Sequence, residues 1–224
     1  MTVLSLKAVL FDLGGTLIIT APVPEIFRRI LAAHGIHKPL EKIASAFRRA
    51  EEEVELNYTL SYVEFWRLFN RKILEQLGIR RNIEALADAV TDEWWDNADL
   101  DSYPEVKETL MKLKQKGIRT GIITNGYQKD VDEVLLRTGL NGLFDVTVGA
   151  DNVQKPKPSK EIFLYALEKL RVQPQDTVFV GDNPKADYEG ARNAGLKPLL
   201  IDRENGKPQQ YNRIHNLGEV LGYL

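Results

Sequence analysis

Two hydrophobic periodicities divide the chain. Leu6 to Asp12 is a short, continuous apolar run closing on one carboxylate, the pattern of a strand buried on both faces of a parallel sheet. Gly14 and Gly15 break it. From about Pro24 to Asn97, apolar residues recur at helical spacing and no convincing strand is present. Pro24 suits a first helical residue, and Ile26, Phe27, Ile30 and Leu31 form a stripe that ends at Gly35. Pro39 opens a second helix with Leu40, Ile43, Ala44, Phe47 and Val54 on one side. Ser61 and Glu64 have capping-box spacing ahead of Phe65, Trp66, Phe69, Ile73, Leu74 and Leu77. Asn82 is a candidate cap for a fourth helix running to Trp94.

From Tyr103 the pattern changes to alternating helix and strand. Helices are expected over 104–116, 127–137, 159–170 and 184–194, with a last one from Leu217. Strands are expected over 118–124, 144–148, 177–180 and 199–201, and a short segment near Ile214. Such alternation gives a parallel sheet with helices on both faces. The helical stretch reads as an insertion, so the expected division is a core of residues 1–18 and 99–224 and a second domain of residues 19–98.

A length of 224 residues suffices for one core with a smaller inserted domain. A net charge of −2 and the absence of a basic block argue against a nucleic-acid surface, and the pairs Arg28-Arg29, Arg48-Arg49 and Arg80-Arg81 read as solvated helix faces. With no cysteine, disulfides and thiolate chemistry are excluded. No apolar run approaches membrane-spanning length and no signal-peptide pattern opens the chain, so a cytoplasmic protein without membrane partners is expected. The acidic run Asp96 to Asp101 is not a calcium loop, since it lacks the glycine and the closing glutamate that such a loop needs.

Ligands of open parallel sheets bind outside the carboxyl ends of the strands. Three expected strands end in polar residues: the first at Asp12, the second at Thr124-Asn125-Gly126, the fourth at Asp182, with Asp187 five residues on. Lys157 precedes a helix and is within reach of the same mouth. Singly, each is an ordinary turn, cap or surface residue; jointly they make a site.

These stretches carry a resemblance. Phe11-Asp12-Leu13-Gly14-Gly15-Thr16-Leu17, Thr124-Asn125-Gly126, Lys157-Pro158 with Ile162-Phe163, and Gly181-Asp182 with Asp187, Gly190-Ala191 and Ala194-Gly195 resemble, in order and spacing, the four motifs of the haloacid dehalogenase-like hydrolases. Lys157 fits the third motif; Lys155 is the fallback. The resemblance implies a Rossmann-like core and a helical-bundle cap inserted between the first two motifs. It implies a hydrolase, most readily a phosphatase, acting on a small phosphorylated metabolite. Asp12 would be the nucleophile, forming an aspartyl-phosphate. Mg²⁺ would be held by Asp12, the Gly14 carbonyl, Asp182 and Asp187. Thr124, Asn125, Gly126 and Lys157 would bind the phosphoryl group. A monomer or homodimer is expected.

One position departs from the motif. Phosphatases of this family carry a general acid-base Asp two residues after the nucleophile, where this chain has Gly14. Its metal role survives as a backbone carbonyl; its proton transfer does not. A phosphatase restricted to good leaving groups, or rescued by Glu25, Tyr58, His34 or His37, is the first reading. A 2-haloacid dehalogenase needs no leaving-group proton. A phosphonatase-like hydrolase would need a Schiff-base lysine such as Lys38 or Lys42. A non-catalytic binder keeping the fold is the reading from another class.

Overall fold

The opening apolar run becomes β1 (Ala8–Phe11), whose four residues are all fully buried. Burying each large side chain there contributes about 1.5–3 kcal/mol. The computed structural model describes residues 6–54 and 58–224. The chain divides into two compact units, one of the residues up to Ile19 with Asp101–Leu224, the other Thr20–Leu100.

In the first unit, β1 is followed by the two-residue β2 (Ile18–Ile19). In the second, four helices succeed one another: α1 (Val23–Ala33), α2 (Leu40–Glu53), α3 (Tyr62–Gln76) and α4 (Ile83–Asp92). The first unit resumes with β3 (Asp101–Ser102), α5 (Val106–Gln115), β4 (Arg119–Ile123), α6 (Gln128–Thr138), β5 (Val146–Val148), α7 (Lys160–Leu170) and β6 (Thr177–Gly181). A π-helical turn over Pro184–Glu189 leads into α8 (Gly190–Asn193), then β7 (Lys197–Ile201), β8 (Arg213–Ile214) and a 3₁₀ turn over Leu217–Tyr223.

Among the described residues, β5-β4-β1-β6-β7-β8 form one parallel sheet, with Phe11 opposite Ile122 on one side and Val180 on the other. Successive strands are laid outward from β1 in both directions. The carboxyl end of β1 is therefore the switch point, where a crevice opens in this α/β, Rossmann-like order. β2 and β3 pair antiparallel, where the chain leaves the first unit and returns to it.

In the helical unit, α1 packs on α2 and α4, and α3 on α2 and α4. Its centre is aromatic: Phe65 and Phe69 stack with ring centroids 6.0 Å apart, and Phe47 meets Phe69 edge-on. No helix among the described residues is long and apolar enough to cross a membrane.

Four local expectations change. On α2 the buried residues are Ile43, Ala46 and Ala50, while Leu40 is 44% exposed, because the helix turns its narrower small-residue stripe inward. Val54 lies just past the end of that helix. Asn82 stands before α4 in a left-handed conformation and its side chain does not cap it. The helix expected over 184–194 opens as a π-helical turn, in which the Asn183 carbonyl accepts the Tyr188 N–H at 3.2 Å and the Asn183 side chain caps the Lys185 and Ala186 N–H groups.

Candidate active site

Asp12 follows the buried end of β1, and its N–H donates to the Val180 carbonyl at 2.8 Å, continuing the ladder. Backbone pairing thus fixes the carboxylate at the switch point. Its Oδ1 accepts from Lys157 Nζ at 2.6 Å and its Oδ2 from Thr16 Oγ1 at 3.3 Å. Lys157 Nζ also donates to Asp187 Oδ1 at 2.7 Å and lies 5.3 Å from the centre of the Phe179 ring. Lys157 is 4% exposed and Asp187 2%, so the bridge is buried. The π-helical turn sets Asp187, whose Oδ2 accepts the Asn183 N–H at 2.9 Å. A Cβ on Gly181 would stand 2.4 Å from the Asp187 carboxyl carbon, so only glycine permits this approach. Lys155, the fallback, is an exposed residue paired with Glu161 at 2.9 Å.

Asp182 completes the cluster. Oxygens of Asp12, Asp182 and Asp187 lie within 4.8 Å of one another. Three carboxyl groups face one ammonium in a largely buried pocket. Burial, only partly offset by Lys157 and reinforced by Asp187, pushes the Asp12 carboxyl up to about 7. Burial and the neighbouring Asp187 likewise raise Asp182. Burial pulls Lys157 downward, but Asp12 and Asp187 outweigh it and raise the ammonium overall. Hard oxygen donors, and carboxyls that burial and mutual repulsion hold from ionising, suit a divalent cation of the Mg²⁺ type. Each Asp187 oxygen accepts one hydrogen bond and keeps a second lone pair.

On the other flank of β1, β4 delivers Thr124, buried, with its N–H on the Val148 carbonyl. Thr124 Oγ1 accepts the Gly126 N–H at 3.1 Å, which orients the hydroxyl proton away from the turn and commits that amide to it. The Asn125 side chain bonds the Lys157 main chain at both ends, Oδ1 accepting from Lys157 N at 2.7 Å and Nδ2 donating to Lys157 O at 3.0 Å. The Asn125 side chain thus sets the lysine.

The family model of haloacid dehalogenase-like hydrolases matches residues 6–195, which contain every one of these side chains. This chain belongs to that family of hydrolases. It is 32% identical over 202 residues to a glyceraldehyde 3-phosphate phosphatase of Methanopyrus kandleri, covering 88% of this chain and 84% of that one. It is also 28% identical over 213 residues to (S)-2-haloacid dehalogenase 1 of a Pseudomonas, covering 92% and 88%. Among solved structures, a phosphatase of the same family from Thermococcus onnurineus superposes with a TM-score of 0.70 at 28% identity over 97% of each chain.

The residues considered as substitutes for the family's general acid all lie in the helical unit. Hydrogen bonds from Arg28 and Arg29 hold the Glu25 carboxyl down to about 2, which unsuits it as a proton donor near neutrality. His34 pairs with Glu93 at 2.9 Å, and Lys38 donates to the Leu77 carbonyl at 3.0 Å. Tyr58 is buried. Lys42 and His37 are exposed. Sequence reasoning gave no role to Thr16, Asn183 or Arg203. Thr16 and Asn183 adjoin motif residues, which is a usable signal; Arg203 follows β7 with no local mark.

Proposed function

We propose that the chain is a Mg²⁺-dependent phosphohydrolase of a small phosphorylated metabolite, working through an aspartyl-phosphate on Asp12. The observation that carries this reading is the buried Lys157 bridge between Asp12 and Asp187, with Asp182 beside it. A halide-releasing site has no need of three clustered carboxylates. Asp12, the Gly14 carbonyl, Asp182 and Asp187 would hold the ion, which supplies charge neutralisation for the transferring phosphoryl group.

Lys157 aims Asp12 and favours its ionised form, which the bound cation would complete. The attacking Asp12 oxygen forms a bond to phosphorus as the bond to the leaving oxygen breaks. Thr124 donates its hydroxyl proton to a phosphoryl oxygen, and Lys157 offsets the developing charge. Water then attacks phosphorus, inorganic phosphate leaves, and Asp12 is regenerated. Gly14 offers no proton to the departing oxygen, so good leaving groups, such as acyl and aryl phosphates, are favoured. In this reading the helical unit, Thr20–Leu100, is the cap that selects the leaving group.

The Pseudomonas relative and the glycine at position 14 support a second reading, hydrolysis of a 2-haloacid. One panel separates the two: acyl, aryl and alkyl phosphates, glyceraldehyde 3-phosphate among them, and 2-haloacids, each with Mg²⁺ and with EDTA. Phosphate release that requires Mg²⁺ and disappears in Asp12→Asn supports the first. Metal-independent halide release with no phosphate release replaces it with the second.

A further inference from the structure

Arg203 lies two residues beyond β7, yet its guanidinium spans to the turn that follows β1. Its Nη2 donates to the Thr16 carbonyl at 2.8 Å and its Nη1 to Glu105 Oε1 at 2.8 Å. The guanidinium carbon sits 3.4 Å from the centre of the Tyr103 ring. Glu105 Oε1 also accepts the Leu217 N–H at 3.1 Å, so the acceptor is itself fixed. The base of Arg203 is fixed too. Asp202, 1% exposed, accepts from Gly206 N, Lys207 N and Arg213 Nη1 at 2.9–3.1 Å, which locks the loop that follows β7.

The cost of this arrangement is visible. Arg203 Nε is buried with no partner among the described residues. An unsatisfied buried donor is destabilising, and a shorter apolar residue would avoid it. The fork is therefore better explained by what it holds than by stability alone. It holds Thr16, which is fully buried and whose hydroxyl reaches Asp12. The same turn carries Gly14 and Gly15, and a Cβ on Gly15 would stand 3.0 Å from the Asp182 carboxylate. Through Tyr103 and Glu105, Arg203 also grips the segment just after β3. Both strands of the small β2–β3 pair are thus anchored close to their ends by one side chain.

We infer that Arg203 is a positioning residue for the Asp12–Thr16 turn, setting the nucleophile and the Gly14 carbonyl relative to Asp182. Its guanidinium bonds go to Thr16 and Glu105 rather than to Asp12, Asp182 or Asp187. The kinetic part of the inference rests on the phosphohydrolase reading; the conformational part does not.

The test uses Arg203→Lys and Arg203→Met in the full chain, with two readouts. Amide hydrogen exchange is followed at Gly15 and Leu17, whose N–H groups bond Ile18 O and Leu13 O at 2.9 Å, and across β6 as the reference. Steady-state kinetics are measured with the best phosphate ester of the wild type. Expected are at least tenfold faster exchange at Gly15 and Leu17 with β6 unchanged, and kcat about 10²-fold lower with KM held within about threefold, the signature of a misplaced reacting group. Lysine, which keeps the charge but loses the fork, should not restore kcat. Wild-type exchange in the turn, loss of protection in the turn and β6 together, or unchanged kcat despite a loosened turn would each overturn the inference. If the wild type releases no phosphate from any ester, the phosphohydrolase reading fails, and the inference about Arg203 stands or falls on selective loosening of the turn.

Discussion

Replacing Gly14 by aspartate adds the one group that the site lacks for ordinary phosphate esters. Gly14 is exposed, its backbone lies outside the left-handed region, and a Cβ there meets no atom within 4 Å. The carboxylate can therefore be introduced without backbone strain or a clash. General acid-base catalysis contributes about 10²–10⁴-fold, or roughly 3–5 kcal/mol of barrier. That gain is confined to substrates whose leaving oxygen needs a proton. For an acyl phosphate or a nitrophenyl phosphate it should be near zero; for an alkyl phosphate it should approach the full range. The added charge joins three carboxylates, which raises the pKa of the new group and suits it to donate a proton. The assay is kcat/KM at saturating Mg²⁺ over a series of phosphate esters, plotted against leaving-group pKa for wild type and Gly14→Asp, with melting curves as the folding control. The wild-type line should be steep and the variant line flatter. Parallel lines in a folded, metal-binding variant would refute the claim that a missing proton donor limits this enzyme.

Three further perturbations test the electrostatics of the site. Lys157→Met removes the one cation, 4% exposed, between Asp12 and Asp187, so the metal-free protein should lose about 3–5 kcal/mol in denaturant titrations and recover more of it on adding Mg²⁺ than the wild type gains. In metal-free protein the Asp12 carboxyl, raised to about 7, keeps a proton that the unfolded chain releases near pH ~4. The folded state then binds more protons across that window, so stability should fall as pH rises from about 4 toward 7. Urea midpoints in EDTA should show this slope, and Asp12→Asn should flatten it. Gly181→Ala drives a methyl group into the Asp187 carboxylate, 2.4–2.5 Å from its atoms; activity should drop by about 10²-fold while β6 stays folded, as checked by hydrogen exchange.

Much of this site was legible because it is built from strand ends. A central parallel strand is buried on both faces, so β1 announces itself as an unbroken apolar run, and the residue after it must emerge at the sheet's mouth. The same logic located Thr124 and Asp182. Capping at Ser61 was legible from spacing alone, and both the Ser61 and the Glu64 halves of that box are formed. What the sequence concealed depends on contacts between distant segments. A pair of two-residue strands such as β2 and β3 has no periodicity to read. The π-helical turn at Pro184 leaves no mark in the sequence, since an amphipathic pattern predicts only an ordinary helix. On α2, Leu40 follows the apolar pattern yet faces water, because packing selected Ala46 and Ala50. Asn125 matched the motif, but nothing in the sequence shows that its side chain bonds the Lys157 main chain, 32 residues away. Arg203 carries no motif, and only the fold brings it to Thr16.

The account stands on covalent catalysis by Asp12, and trapping tests it most directly. Enzyme turning over an acyl or aryl phosphate in Mg²⁺ is quenched with borohydride, which reduces an acyl phosphate to the alcohol, and the peptide containing position 12 is read by mass spectrometry. The account predicts homoserine at position 12, dependent on substrate and on Mg²⁺. An unmodified Asp12 in enzyme that is releasing phosphate, or a reduced carboxyl at Asp182 or Asp187 instead, would contradict it.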